Sequence, residues 1–531
     1  MFKDVAAGGQ TTAHGVRMLR QVIKIAFIFA ILALLGTFFY RMYSRVNPDR
    51  YMDFLRYFKA IGRWDTIAVD YYSDRLDEVY AYAYKQIRPS LKVSVGVFVS
   101  IIVLFKFKGK FGKRSKKIKT KSSIRKTFVK NPFHSGFFLG KASIPKNAET
   151  SHILVTGGTG SGKTNAFHHI LKQVRDKKQK AVILDTTGVF VERYYNEETD
   201  ILLSSDFEKT KNWSPWADIE DLSDCTAMAK AFIPSKSSDH DSYWRDAAAV
   251  VFAALLEKTA SSKTPPKKPI EHLTQKMLRD PVSKLIKAVA GTKGAAHISK
   301  EGDKATASIR SMASVKLECL ELLKDTEDGD VFSITDWIKD DSQKGFLFLA
   351  CTPKTRDTMR PLLSAWYSTA IRALMCLDPS FKRRIWFVND ELASMDQING
   401  LGTCLTEGRK YGACALLAVQ SPSQIVDIYG REQAKTITAN CMNKIVFREN
   451  EPENAGQLSK LFGKLDIEET HEGISYGAND IRDGVTQSKV QRSKSVVSST
   501  NIQNLRINHC YLRTNNGKIQ KIKLGIAKND D

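Results

Sequence analysis

Residues 157–164 read Gly-Gly-Thr-Gly-Ser-Gly-Lys-Thr. The stretch before them, Ser151 to Thr156, is apolar at Ile153, Leu154 and Val155. The stretch after them, Ala166 to Val174, carries apolar residues at helical spacing. A strand, a glycine-rich loop and a helix in that order restrict the fold more than any other part of the chain. Glycines let backbone N–H groups turn inward around a triphosphate, and the start of the following helix favours negative charge. The spelling marks Gly157, Gly158, Thr159, Gly160, Ser161, Gly162, Lys163 and Thr164 as nucleotide-binding. Lys163 is expected to reach the β- and γ-phosphates of ATP, and Thr164 to hold Mg2+.

Around this loop, residues 131–531 alternate short β-type runs with helical stretches, which predicts an α/β fold with a mostly parallel sheet. The expected strands are His152–Val155, Lys180–Leu184, Gly345–Ala350, Ile385–Asn389, Ala413–Val419 and Lys444–Arg448. Several are continuous apolar runs, as a sheet buried on both faces requires. Between 217 and 330 the β-type runs stop and Ala-, Lys- and Leu-rich stretches take over, which reads as an all-helical insertion. The 8 cysteines all lie beyond residue 220 and none forms a Cys-x-x-Cys pair. Reduced, mostly buried thiols are expected, with no zinc or disulfide framework.

The N-terminal part is of another kind. Val22 to Tyr40 is apolar apart from Lys24 and is long enough to span a bilayer. Val93 to Phe105 is a shorter apolar run, either a second span with Lys92 and Lys106 reaching the headgroups or a buried core helix. Residues 106–130 then hold 12 Lys and Arg and no acid, half of the formal net charge of +24. Positive charge stays cytoplasmic, so both ends of the pair face the cytosol. The strip reads equally as a topology determinant on anionic lipid and as a contact for a polyanion such as DNA.

Hydrolysis needs more than a phosphate loop. Arg383 to Glu391 reads Arg-Arg-Ile-Trp-Phe-Val-Asn-Asp-Glu, an apolar strand that ends in two carboxylates. Asp390 is expected to order Mg2+ and Glu391 to polarise the attacking water. Arg409 and Lys410 precede the strand Ala413–Val419, and Gln420 follows it. By themselves the basic pair reads as a solvated surface feature.

The phosphate loop, Trp386 to Gly412, Leu416 to Gly430, Gly473 to Ser488 and Arg360 to Trp366 together resemble the conjugative coupling proteins of type IV secretion (TraD-type), over nearly the whole chain. The resemblance implies a RecA-like, FtsK-related nucleotide domain with an inserted all-helical domain and two N-terminal spans. It implies a bacterial inner-membrane homo-hexamer with its large domain cytoplasmic and ATP between subunits. Arg409 then matches the arginine finger and Gln420 the third-motif glutamine. The implied division is 1–21 cytoplasmic, 22–40 first span, 41–91 periplasmic loop, 92–106 second span and 107–130 basic strip. The nucleotide domain then takes 131–216 and 331–531, with the all-helical domain at 217–330.

The implied task is delivery of relaxase-bound single-stranded DNA to type IV secretion channel proteins, with anionic inner-membrane lipids as a further partner. Protein cargo, or an ATP-dependent scaffold without motor action, would use the same motifs. Two departures stand out. Gly188 is followed by Val189 where many relatives carry an acid. The chain also stops at Asp531 without a long relaxosome-docking tail, so docking is expected on the helical insertion.

Overall fold

A computed structural model describes residues 4–46, 48–73, 76–111, 136–234, 242–264, 266–299, 302–325, 331–475 and 484–527. It divides into two units, Met1–Ser123 and Ile124–Asp531.

In the first unit, α1 (Asp4–Arg45) and α4 (Asp77–Phe111) pack along each other, with α2 (Pro48–Gly62) and α3 (Thr66–Ser73) between them in sequence. Small residues allow the close approach: Ala26 and Ala30 are buried, and the Ser94 hydroxyl donates to the Ala30 carbonyl at 2.7 Å. Leu19–Arg45 and Tyr80–Val103 are each long and apolar enough to cross a membrane. The second stretch exceeds the short run read from the sequence because the helix already starts at Asp77. Residues 77–91, expected in the loop, therefore continue the second helix. Of the basic strip, 112–130 lies outside the described residues.

The second unit begins with a hairpin of β1 (Phe137–Leu139) and β2 (Ala142–Ile144). Seven parallel strands follow in chain order: β3 (Ile153–Thr156), β4 (Lys180–Asp185), β5 (Ile201–Leu203), β6 (Phe346–Ala350), β7 (Ile385–Asn389), β8 (Ala413–Val419) and β9 (Asn443–Val446). A second hairpin, β10 (Lys464–Ser475) with β11 (Gly484–Ser495), stands apart from the sheet. Part of the familial tract Gly473 to Ser488, residues 476–483, lies outside the described residues. The antiparallel pair β12 (His509–Arg513) and β13 (Ile519–Lys523) extends the sheet beyond β9. The spatial order is β13-β12-β9-β3-β8-β7-β4-β6-β5.

Each of the six expected strands is present within a residue or two of its expected ends. Every residue of β3, β4, β6, β7, β8 and β9 is buried, which explains the unbroken apolar runs. Alternate side chains feed two cores. Ile153, Val155, Ala181, Ile183, Trp386 and Val388 meet α5 (Lys163–Asp176) and α6 (Val189–Tyr194) on one face. Leu154, Val182, Leu184, Phe387 and Leu417 point to the other face.

From Pro215 to Lys339 every described element is helical. The helices are α7 (Leu222–Phe232), α8 (Ser242–Ala260), α9 (Pro269–Thr274), α10 (Val282–Val289), α11 (Asp303–Leu317) and α12 (Ile334–Lys339), joined in part by short 3-10 turns and, at Gln275–Arg279, a π-helical stretch. The chain leaves the sheet after β5 and returns on its neighbour β6, so the insertion springs from one edge. It shares its core with α13 (Arg356–Met375), which covers the second face. Further along the chain come α14 (Leu401–Glu407) and α15 (Pro422–Asn440). All eight cysteines are free, and only Cys376 is exposed.

Candidate nucleotide site

The phosphate loop leaves β3, and its last two residues, Lys163 and Thr164, open α5, as the sequence reading requires. Gly157, Gly160 and Gly162 have φ of 146°, 69° and 113°, conformations open to glycine. At two of them space is also closed. A Cβ on Gly157 would lie 2.7 Å from the Phe447 Cβ, and one on Gly162 would lie 2.5 Å from Asn508 Oδ1. The loop is braced from chain far away in sequence. Gly158 N donates to the Arg448 carbonyl at 2.8 Å, and Asn508 N donates to the Ser161 carbonyl at 3.0 Å. Ser161 closes the turn internally, its hydroxyl donating to the Gly158 carbonyl at 2.6 Å.

Lys163 Nζ donates to the carbonyls of Gly157 at 2.8 Å and Gly158 at 3.2 Å, so the ammonium lies along the inside of the loop. Burial pushes its pKa down, opposed by the nearby carboxylates of Glu391, Asp390 and Glu449. Thr164 donates its hydroxyl to Asp390 Oδ2 at 2.8 Å. This single contact joins the loop to the end of β7 across 226 residues of sequence. Burial raises the Asp390 pKa to about 6 against the pull of Thr164 and Lys163. Its other oxygen, Oδ1, is buried and has no hydrogen-bond partner among the described residues.

Glu391 is fixed on one side only. Its N–H donates to Asn389 Oδ1 at 3.0 Å, and its Oε2 accepts from Gln420 Nε2 at 2.9 Å. Oε1 is buried without a partner among the described residues. Gln420 in turn accepts from the Thr159 hydroxyl at 3.5 Å on the far wall of the loop. The expected residues Thr159, Lys163, Thr164, Asp390, Glu391 and Gln420 therefore meet in one cleft at the C-terminal edge of the sheet.

A divalent cation fits this donor set. An orphaned carboxylate oxygen on Asp390 stands beside the Thr164 hydroxyl. Mg2+ takes one or two protein oxygens and fills its shell with water and phosphate oxygens.

Arg409 is not in the cleft. It sits exposed in the turn Gly408–Tyr411, ahead of the first residue of β8, while Gln420 follows the last. Seven buried residues of strand separate them, about 20 Å. Because β3 and β8 run parallel with Thr156 level with Val419, Arg409 is at the opposite end of the sheet from its own phosphate loop.

Four site residues escaped the sequence reading. Phe447, Glu449 and Asn508 line the loop from β9 and from the turn before β12, brought there by topology alone. Asp185 anchors the start of α6. Its carboxylate accepts from the N–H groups of Thr187, Gly188, Phe190 and Val191 and from the Thr187 hydroxyl. Val189, the departure noted above, is exposed at that helix start. An Asp followed closely by glycine before a helix was the one legible signal.

The model of the type IV secretion-system coupling protein DNA-binding domain matches residues 137–525. The coupling protein TraD of Escherichia coli (strain K12) is 26% identical over 407 residues, covering 76% of this chain and 56% of TraD. The chain thus spans little more than half of that relative. The VirD4 coupling protein of Bartonella henselae is 29% identical over 107 residues, 20% of this chain and 17% of VirD4. Among solved structures, the bacterial conjugative coupling protein TrwBdeltaN70 superposes with a TM-score of 0.67 at 26% identity, covering 76% of this chain and 92% of its own. TrwB in complex with ADP and Mg2+ gives 0.65 at 26% identity, covering 75% and 90%. With a match that takes in the whole sheet, the cleft and the helical insertion, the chain belongs to the family of type IV secretion-system coupling proteins.

Proposed function

We propose that this chain is a membrane-anchored, hexameric ATPase that moves single-stranded DNA with its bound relaxase toward a type IV secretion channel. The observation that carries the reading is the connected set Thr164–Asp390 and Thr159–Gln420–Glu391 in one cleft, with Arg409 at the other end of the same strand as Gln420. The first part is a hydrolytic half-site. The second is what a subunit needs to complete the half-site of a neighbour.

The residues divide the work. Backbone N–H groups of 157–162 cradle the phosphates, and Lys163 exchanges the Gly157 and Gly158 carbonyls for β- and γ-phosphate oxygens. Thr164 and Asp390 would hold Mg2+, which would supply positive charge to offset the charge that develops on the phosphates. Glu391 accepts a proton from the attacking water at Oε1, while Gln420 fixes Oε2 and so aims the free oxygen. Gln420 also touches Thr159, so the same side chain responds to the state of the loop. Arg409 enters the site of the adjacent subunit, where its guanidinium offsets charge on the phosphoryl oxygens. TrwB in complex with ADP and Mg2+, and with an ATP analogue, supports ATP as the nucleotide. The two long apolar helices support the anchor, and the basic strip at 107–130 supports contact with anionic lipid.

The test is ATP turnover by the detergent-solubilised full chain with single-stranded, double-stranded and no DNA. Single-stranded DNA is expected to stimulate wild type, and Lys163→Ala to abolish turnover while leaving membrane insertion intact. Wild-type transfer frequency from Lys163→Ala cells would remove the motor role. Absence of stimulation by any DNA, with a protein effector bound to 217–330, would replace DNA by protein cargo.

A further inference from the structure

On the helical insertion, the end of α8 faces α9 and α10 across a cleft of about 440 Å³. Ligand pockets commonly span about 300–1,000 Å³. The walls of this one are basic. Lys258 stands in the last turn of α8, His272 on α9, Lys276 in the stretch Gln275–Arg279, and Lys284 and Lys287 on α10. No aspartate or glutamate lines the cleft among the described residues. Lys276 is paired with Asp280 at 3.1 Å. Lys258, Lys284 and Lys287 are exposed and form no ion pair among the described residues.

The fold does not call for this grouping. α10 is held by Leu285 and Val289, both fully buried. A cation in the last turn of a helix offsets free carbonyls, but at the end of α8 hydroxyls already serve two of them. Thr259 donates to the Leu255 carbonyl and Ser261 to the Glu257 carbonyl, both at 2.9 Å. Three ammonium groups around one concavity repel one another, and an anion between them turns that repulsion into attraction.

What else lines the cleft selects the anion. Its floor is aliphatic, with Leu255 and Leu273 buried beneath the lysines. Among the described lining residues there is no Phe, Tyr or Trp on which a nucleobase would stack. Nor is there an arginine, whose fork grips a phosphate through two parallel hydrogen bonds. Point charges above an aliphatic floor suit carboxylates set on either side of an aliphatic side chain.

The geometry points to a docking site for an acidic segment of a partner protein, its carboxylates on Lys258, Lys284 and Lys287 and an aliphatic side chain over Leu255 and Leu273. The cleft shares no residue with the nucleotide site, so it stands whether or not the chain moves DNA.

The probe is a short peptide of alternating glutamate and leucine, added to the detergent-solubilised full chain at physiological salt. Amide hydrogen exchange is the readout, because it resolves 251–260 and 282–289 from the basic strip. Protection of those two segments is expected to rise with peptide and saturate. The same peptide with glutamine in place of glutamate is expected to give none. Lys258→Gln, Lys284→Gln and Lys287→Gln should each weaken binding about 2- to 5-fold, and together about 10- to 100-fold, the scale of exposed charge pairs. Basal ATP turnover should be unchanged in all of them, which also shows that they fold. No protection at the cleft would overturn the site. So would an equal loss when Lys263, Lys267 and Lys293, exposed lysines outside the cleft, are changed to glutamine instead. Tighter protection of the same segments by oligo-dT than by the peptide, lost in the same triple variant, would overturn the peptide in favour of nucleic acid.

Discussion

If Arg409 acts across a subunit boundary, its removal must be rescued by a partner that supplies it. Within one subunit the guanidinium lies about 20 Å from the cleft, the length of the β8 strand. Two unit charges at that distance interact by about 0.2 kcal/mol in water and below 1 kcal/mol at an effective dielectric near 20. Salt reduces this further, since the screening length is about 8 Å at physiological ionic strength. Arg409→Ala acting only within its own subunit should therefore change kcat by less than about threefold. A finger reaching a neighbour's phosphates is worth about 10³-fold or more. The assay is steady-state turnover of rings co-assembled from Arg409→Ala and Lys163→Ala chains. Each homogeneous ring is expected to be nearly dead, one for lack of fingers and the other for lack of loops. In a head-to-tail ring mixed at random in equal amounts, about a quarter of the interfaces pair an intact loop with an intact finger. Recovery to about that fraction of wild type is expected if neighbouring interfaces fire independently. Homogeneous Arg409→Ala rings that stay inactive and gain nothing from Lys163→Ala partners would refute action across the boundary. Homogeneous Arg409→Ala rings with full turnover would refute the finger altogether.

The remaining expectations concern single groups. Glu391→Gln should bind ATP as tightly as wild type by fluorescent-nucleotide titration while losing about 10²- to 10⁴-fold in kcat, since only the proton acceptor is removed; sustained DNA transfer by this variant would favour the scaffold role. Gly162→Ala places a Cβ 2.5 Å from Asn508 Oδ1 at φ 113° and should cost about 1–3 kcal/mol in chemical denaturation together with loss of nucleotide affinity. Asp185→Asn cannot serve its four N–H donors and one hydroxyl as a carboxylate does, and should lower stability by about 2 kcal/mol with α6 the first element to exchange amide protons. The pH dependence follows from His152, whose pKa burial lowers to about 4, with a smaller push from the Arg409 charge. Below its ordinary value near 6.5 the unfolded chain binds a proton that the folded chain refuses, so stability falls as pH drops from about 6.5 to about 4. The loss attributable to His152 is about 3 kcal/mol, read as the difference in denaturation midpoint profiles between wild type and His152→Asn. Parallel profiles would contradict the buried, neutral ring.

Which of these groups could be read from the sequence depends on how far the signal is local. The phosphate loop is local: glycine spacing, Lys163 and Thr164 all serve one turn, and the flanking strand and helix are its own neighbours. The parallel strands were legible for a related reason, because burial on both faces leaves no polar alternation, as in Ala413–Val419. Asp390 and Glu391 were legible because the end of such a strand is where a carboxylate can reach a neighbouring loop. The short strand Ile201–Leu203 and the hairpins β1–β2 and β10–β11 carry no such run. Phe447, Glu449 and Asn508 were out of reach because their role is to face a loop some 280 to 350 residues earlier, and nothing in their own neighbourhoods encodes that. His152 is the extreme case. A lone histidine before a strand carries no sequence signal, and its place is set by a backbone φ of 53° and by Ala415 and Asn443 on other strands.

The two ends of β3 and β8 then make one mechanical argument. The strands are paired in register from Ile153 with Leu416 to Thr156 with Val419. At their C-terminal ends stand the phosphate loop and Gln420, and at their N-terminal ends His152 and Arg409. Every residue of both strands is buried. Close-packed strands of this kind shift as rigid bodies and do not stretch, so a displacement imposed at Gln420 by the loop is carried to the start of β8 undiminished. On the proposed reading the Thr159–Gln420 contact is therefore where nucleotide state enters the strand, and the turn that carries Arg409 is where it leaves toward a neighbouring subunit. Thr159→Ala removes the entry while leaving the loop glycines, Lys163 and Thr164 in place. It should bind ATP with wild-type affinity yet make successive sites fire independently, which is read as a Hill coefficient for ATP turnover that falls to one. A Hill coefficient unchanged from wild type would mean that nucleotide state travels between subunits by another route.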